Sequence, residues 1–197
     1  MAFTVSSFKS NLEQGGGGAR PALYKISINH SSNAQQSFTS SEEILVKAAS
    51  IPPANIAPLT VNYAGRAYKW SGFRTFDPWT TTIINDENLS TRNKIMQWMR
   101  LLSGRFDGTR DIYFGSPTPR NSASAWKEGY AEVIQVGTDG EDKQKYRFYN
   151  LWPTELAEIP LDWASDAIQE YTVTWAYDYW SHGIASSNID VVTNAAA

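Results

Sequence analysis

Proton shuttling at neutral pH would fall to His30 and His182, which are the two imidazoles of the chain. Each stands at the end of an expected strand beside a polar loop, a setting that solvates an imidazole rather than poising it for catalysis. No H-x-x-H or H-E-x-x-H spacing occurs, and there is no cysteine, so a zinc site lacks a ligand set and a disulfide framework is excluded. The acidic pairs Asp86-Glu87 and Glu141-Asp142 offer the two carboxylates of a glycosidase. The first falls where a helix cap belongs and the second at a hairpin tip, so both have structural explanations. No G-x-S-x-G elbow exposes a nucleophile. Gly15, Gly16, Gly17 and Gly18 suggest a phosphate cradle, which requires a strand before the glycines and a helix after them. Here a short helical turn precedes them, and Arg20-Pro21 and a strand follow. The run therefore reads as a flexible joint. No catalytic, cofactor-binding or metal-binding residue is expected.

Composition narrows the remaining classes. Aromatic residues make up 13% of the 197 residues, including eight Trp and ten Tyr, which favours sheets and interfaces. Rings on an exposed strand face would also suit a carbohydrate-binding module, whose flat platforms stack on sugars. The simpler use of Trp and Tyr on strands is to fill a core or a subunit interface. With 20 acids against 17 bases the net charge is −3, which provides no basic footprint for gripping nucleic acid. No apolar run approaches the roughly 20 residues that cross a bilayer, and the first residues lack a signal-peptide pattern. The expectation is one soluble, intracellularly made domain without a membrane anchor.

The elements that position these groups are mostly strands. Phe8 and Leu12, four apart, share one face of a helical turn starting near Ser7, with nothing nearby in sequence to bury that face. Tyr24, Ile26 and Ile28 share one face of the first strand. The segment 44–59 turns at an edge, because Pro52, Pro53 and Pro58 forbid long helix. Around Ala64-Gly65, Val61 and Tyr63 alternate on one side and Tyr68 and Trp70 on the other, the clearest hairpin signal in the chain. A β-branched strand covers Thr80 to Ile84. One helix follows, capped by Asn85 or Asp86 and ended by Gly104, with Ile95, Trp98, Met99 and Leu102 forming a single apolar stripe expected to pack on the subunit's own core. Residues 105–129 read as a long loop with one short strand at 111–114. Two strands flank the polar tip 137–142. The last strand alternates for a dozen residues, with Tyr171, Val173, Trp175, Tyr177 and Tyr179 on one face and Trp180 on the other. The pattern predicts a mainly β protein, an antiparallel sandwich or barrel with one helix.

These segments resemble a known family. "GARPALYKISI", "VNYAGRAYKWSGFRTFDPWTTTIINDENLSTRNKIMQWM" and "YRFYNLWPTELAEIPLDWASDAIQEYTVTWAYDYW" look like the tail tube protein of T4-like contractile-tailed bacteriophages, in the same order from Ala19 to Trp180. Particular marks are Ala19-Arg20-Pro21, Gly65-Arg66 in the hairpin, Trp79 entering its strand, Trp98-Met99 in the helix, and Tyr177-Asp178-Tyr179-Trp180. The four glycines and the 105–129 loop depart from the pattern. The resemblance implies an antiparallel β-sandwich, barrel-like, with a flanking helix, a fold shared with pyocin and type VI secretion tubes. It implies hexameric rings that stack into a conduit for DNA ejection, inside a sheath. The partners it implies are further copies, the tail sheath protein, baseplate and tail terminator proteins, and phage DNA in non-specific transit. Localisation would be the virion, after assembly in the host cytoplasm. On this reading residues 1–18 are an arm with a glycine hinge, in which Phe8, Leu12, Gly15, Gly16, Gly17 and Gly18 reach a neighbouring ring. Residues 19–183 are the tube domain, and 184–197 a C-terminal tail. A carbohydrate-binding β-sandwich and a tube subunit of a non-phage injection system are the alternatives.

Overall fold

The computed structural model describes residues 4–14, 16–30, 37–103 and 129–184. In chain order they form α1 (Val5–Gln14), β1 (Tyr24–His30), α2 (Ser40–Glu43), β2 (Val46–Ala49), β3 (Asn55–Tyr63), β4 (Arg66–Thr75), β5 (Trp79–Ile84), α3 (Ser90–Ser103), β6 (Gly129–Val136), β7 (Asp142–Leu156), β8 (Glu170–Ala176) and β9 (Tyr179–Ile184). Every strand pairing among them is antiparallel. The expected strand at 111–114, most of the 105–129 loop, the helix stop at Gly104 and the tail beyond Ile184 lie outside the described residues.

β7 organises the body. Its first half pairs with β6 on one side, Tyr130 opposite Tyr149 and Glu132 opposite Arg147, and with β9 on the other, Tyr149 opposite Tyr179. The chain then bends at Asn150, whose φ is +56°, and the end of β7 pairs with β8, Trp152 opposite Ala176 and Leu156 opposite Val173. A strand that turns this corner belongs to two layers. The order β1-β6-β7-β8-β5-β2, with β9 also on β7, thus folds into two facing halves. Trp79 of β5 stacks on Phe148 of β7 across the interior, ring centroids 4.5 Å apart. The end strands β1 and β2 share no ladder, so the sandwich is not a closed barrel. The Tyr24 hydroxyl bridges the gap instead by donating to the Val46 and Lys47 carbonyls.

Alternation explains the core. Ile26 and Ile28, Ala131 and Val133, Trp79 and Ile83, and Tyr171, Val173 and Trp175 all point inward and are buried. Thr81 is buried among them because it accepts a hydrogen bond of 2.9 Å from the Trp175 indole, which satisfies two polar groups at once. α3 closes this core. Ile95 and Trp98 are buried, Met99 and Leu102 pack partly against the same cluster, and Trp98 lies 5.7 Å from Trp175. Gly129 makes room for it: a Cβ there would fall on the Leu151 carbonyl oxygen and within 2.5 Å of the Trp98 ring.

Several sequence expectations are corrected. His30 is buried rather than solvated, with its imidazole edge-on to Trp98 at 5.0 Å, because α3 covers the end of β1. α3 starts at Ser90: Leu89 takes φ +55°, and Asp86 accepts from the Ser90 amide at 3.1 Å and its hydroxyl at 2.7 Å, so Asp86 ties down the helix start from outside the helix. The dozen-residue last strand is two strands, β8 and β9, broken at Tyr177-Asp178. The break flips the phase, leaving Tyr179 exposed while Trp180 packs against the core. α1 extends the helical turn expected near Ser7 to ten residues, Val5–Gln14, and α2 is an unexpected short helix.

α2 and α3 are joined by a charged cluster. Glu42 accepts from the Thr39 amide at 2.7 Å, pairs with the Lys94 ammonium at 2.6 Å, and accepts from the Ser90 hydroxyl at 3.2 Å. Burial pulls its carboxyl upward. Lys94 and Thr39 outweigh that pull and hold it below the ordinary carboxylate value of 4.5.

Two outcomes follow from this core. Trp98→Ala should lower unfolding stability by about 3 to 5 kcal/mol in urea titrations, and an unchanged midpoint would place the stripe outside the core. Since the folded state depresses Glu42, its contribution is present above the unfolded value and lost as pH falls through the folded one. Glu42→Gln should therefore flatten the decline in stability between about pH 6 and about pH 3, measured by urea midpoints at both ends.

Candidate functional site

The chemistry-bearing groups named from sequence do not converge. Among the described residues no group of three His, Cys, Asp or Glu could hold a metal ion. His30 is in the core, while His182 is exposed on β9 beside Tyr146 and Trp180. What the structure does concentrate is exposed apolar surface, in three places.

The first is the β3–β4 hairpin, a separate two-stranded sheet. Ala64 and Gly65 both take positive φ, +50° and +76°, the mirror-image turn whose twist suits a tight hairpin. The register sets Leu59 opposite Trp70 and Val61 opposite Tyr68. Because side chains alternate, Leu59, Val61, Tyr63, Tyr68 and Trp70 share one face, and Thr60, Asn62, Ala67 and Lys69 share the other. The apolar face is open to solvent, with Leu59 61% and Trp70 67% exposed. Nine residues of strand extend about 30 Å. Two strands alone are marginal in water, and an apolar patch of this kind marks an interaction surface. Its charges are Arg66, Lys69 and Arg74, with no acid between residues 55 and 75.

The hairpin's base is anchored. The Arg74 guanidinium lies 4.4 Å over the Trp180 ring and 5.2 Å from the Phe76 ring, a cation on aromatic faces. Trp180 donates to the Pro53 carbonyl at 3.3 Å, and Asn55 donates to Asp77 at 2.8 Å. The register shifts between Ile56 and Pro58, a bulge that tolerates the missing proline N–H. Gly72 is required there, since a Cβ would strike the Ala57 carbonyl oxygen.

The second place is α1, in which no residue is buried; Phe8 is 69% exposed, and Val5 and Leu12 are exposed with it. Its end is closed by the glycines. The Gly16 amide donates to the Glu13 carbonyl at 3.0 Å and the Gly17 amide to the Leu12 carbonyl at 2.9 Å, with φ of +76° and +89°. This paired arrangement terminates a helix and needs left-handed backbone, which glycine supplies. Gly18 continues toward β1 with its Cβ direction facing Leu12, and Gly15 lies outside the described residues. The third place is the connection 157–169 between β7 and β8, where Leu161, Trp163 and Ile168 are exposed beside Glu158, Asp162 and Asp166.

Thus Phe8 and Leu12 stand on an unburied helix, while Ile95 and Trp98 are interior and Met99 and Leu102 half-buried. Alternation around Ala64-Gly65 identifies the hairpin from sequence but not its isolation, and it gives no sign of the exposed 157–169 segment. The usable signal was two-faced alternation in a hairpin, and a Trp set among acids in a Pro- and Ser-containing connection.

Comparison with known proteins gives these surfaces a context. Residues 8–183 match the family described as phage tail tube protein. The chain is 31% identical over 163 residues to the tail tube protein gp19 of Enterobacteria phage T4, covering 82% of this chain and 90% of that protein. It is 24% identical over 178 residues to the tail tube protein of Serratia phage KSP90, covering 88% and 94%. Among solved structures, the fold is similar to a chain of the anti-feeding prophage tube-terminating cap, TM-score 0.58 at 13% identity, covering 85% of this chain and 92% of that one. It is also similar to a chain of the sheath/tube terminator of an extracellular contractile injection system, TM-score 0.58 at 11% identity, covering 84% and 96%.

If the hairpin face has no partner within the chain, Trp70→Ser should leave the dilute subunit within about 0.5 kcal/mol of the parent in urea unfolding, unlike Trp98→Ala. A loss of several kcal/mol would mean that Trp70 is covered within its own subunit.

Proposed function

The chain belongs to the phage tail tube protein family and is a structural subunit of a contractile phage tail; on that premise we propose that six copies close a ring and that rings stack into the conduit through which DNA leaves the virion. The observation that carries this reading is the solvent-exposed apolar face of the β3–β4 hairpin, Leu59, Val61, Tyr63, Tyr68 and Trp70, on an otherwise well-packed sandwich. Burying one such side chain contributes about 1.5 to 3 kcal/mol, so several together supply a driving force for association that the free subunit leaves unused. The arm, with Phe8 and Leu12 on α1 and Gly16 to Gly18 at its root, reaches a neighbouring ring.

The charge suits a conduit. Duplex DNA carries about one charge per 1.7 Å, and a basic wall would hold it through many phosphate contacts. A subunit of net charge −3 avoids that grip. Sheath, baseplate and tail terminator proteins are the further partners, assembly takes place in the host cytoplasm, and the subunit does no catalysis. The structural neighbours from a tube-terminating cap, a baseplate and a sheath/tube terminator support that set of partners. The carbohydrate-binding alternative is disfavoured because strand aromatics of the body pack on one another, Trp79 on Phe148 and Tyr149 on Tyr179 at 4.6 Å.

Negative-stain microscopy of concentrated protein should show rings or tubes with an open centre. Deleting residues 1–18 should leave a folded subunit that forms rings but few stacked tubes. A strictly monomeric full-length protein at high concentration would sink the ring proposal, and unchanged tubes from the truncated chain would remove the arm from it.

A further inference from the structure

Two of the exposed surfaces are complementary to each other. Beyond its anchored base the hairpin carries no acid; Arg66, opposite Tyr63, lies on its apolar face and Lys69, opposite Thr60, on the other. The 157–169 connection carries Glu158, Asp162 and Asp166, with no base, around Leu161, Trp163 and Ile168. Trp163 is fully exposed, and Leu161 is 81% exposed.

The two do not cover each other within one chain, where both stay exposed. The hairpin joins the sheet through β4 just before Trp79, the first residue of β5, which pairs with Trp175. The 157–169 segment leads into Glu170, which pairs with Ile84, the last residue of β5. Its own ends are fixed there, the Ala157 amide donating to the Thr172 carbonyl and the Asn85 amide to the Gln169 carbonyl, both at 2.9 Å. The two features therefore leave from opposite ends of β5, about 17 Å apart along the strand. The hairpin leads away from the body, anchored by Arg74 on Trp180.

We infer that the apolar face of the β3–β4 hairpin of one subunit docks on the 157–169 segment of a second copy, with Arg66, which shares that face as the cross-strand partner of Tyr63, set against Asp166. Different patches from the two ends of one subunit make a head-to-tail contact, which repeats from copy to copy and closes a ring when the rotation allows. Opposite charges at the rim align the two partners and disfavour contact between two hairpins or between two acidic segments. The inference rests on the proposed ring-forming function and names the surface that it uses.

The test exploits head-to-tail logic. One variant carries Arg66→Glu and the other Asp166→Lys; both side chains are exposed, so both variants should melt like the parent. Each variant alone presents like charges at the contact, and its yield of rings or tubes by sedimentation and negative stain should fall about tenfold or more. An equimolar mixture should recover assembly, because each altered hairpin then meets an altered segment and each unaltered hairpin an unaltered one. Either variant assembling alone as well as the parent, or a mixture of two folded variants that stays unassembled, would overturn the pairing while parent tubes leave the ring function standing. A parent that forms neither rings nor tubes would overturn both.

Discussion

An apolar ribbon has two faces and no interior. The β3–β4 hairpin can be built with correct turn chemistry and matched register, yet nothing within two strands shields Leu59, Val61, Tyr68 and Trp70 from water. The rest of the subunit is arranged around that constraint. The sandwich packs on itself: its inward rows are buried, the indoles of Trp79 and Trp175 donate hydrogen bonds, and α3 covers the end of the core with Ile95 and Trp98. Such a body holds the ribbon's base through Arg74, Asn55 and Pro53 and leaves its outer part exposed. Arg74 on Trp180 is the mechanical joint, because Trp180 belongs to β9 and so transmits the hairpin's position directly to β7.

The same division explains which features could be read from the residues. β1, β5 and β8 declare themselves by alternation, since one buried face imposes a period of two on the sequence. The hairpin declares itself by Ala64-Gly65 and the flanking rows. α3 is legible from the spacing of Ile95, Trp98, Met99 and Leu102, which share one side of a helix. The burial of His30 is not legible, because its environment is made by Trp98, far away in sequence. Nor is the break after β8: Tyr177 continues the inward row, packing on Phe148 at 4.9 Å, so alternation runs on through a bend fixed by the Asp178 amide on the Tyr149 carbonyl. The dual role of β7 is equally hidden, since a strand that changes layers at Asn150 carries no local mark beyond one residue able to adopt positive φ.

Of the candidate surfaces, the arm was visible in outline and the hairpin's isolation was not. Phe8 and Leu12 lie in a mostly polar segment whose other apolar residues, Phe3 and Val5, are too few to build a core, so their need of a partner can be inferred locally. Leu59 and Trp70 sit in the middle of a chain rich in strands, and only topology reveals that among the described residues no third strand joins them. Gly16 and Gly17 are a subtler case. Their freedom of backbone was legible, but its use is to close α1 through two hydrogen bonds, which keeps the helix intact up to its junction with the body.

Charge reconciles solubility with association. A wet apolar ribbon invites uncontrolled pairing with any exposed strand edge or other ribbon, and charged side chains are a common device against it. Lys69 on the polar face and Arg66 beside the turn give every hairpin the same sign, so two hairpins repel. The 157–169 segments, uniformly acidic, repel one another likewise. Each surface is thereby protected against its own kind and left open to its opposite. Screening weakens such contacts beyond about 8 to 10 Å at physiological salt, so the protection acts only at close approach, where apolar surfaces would otherwise collapse without discrimination. A subunit with both surfaces at opposite ends of one strand is therefore directional, and directionality is what separates a ring from an aggregate.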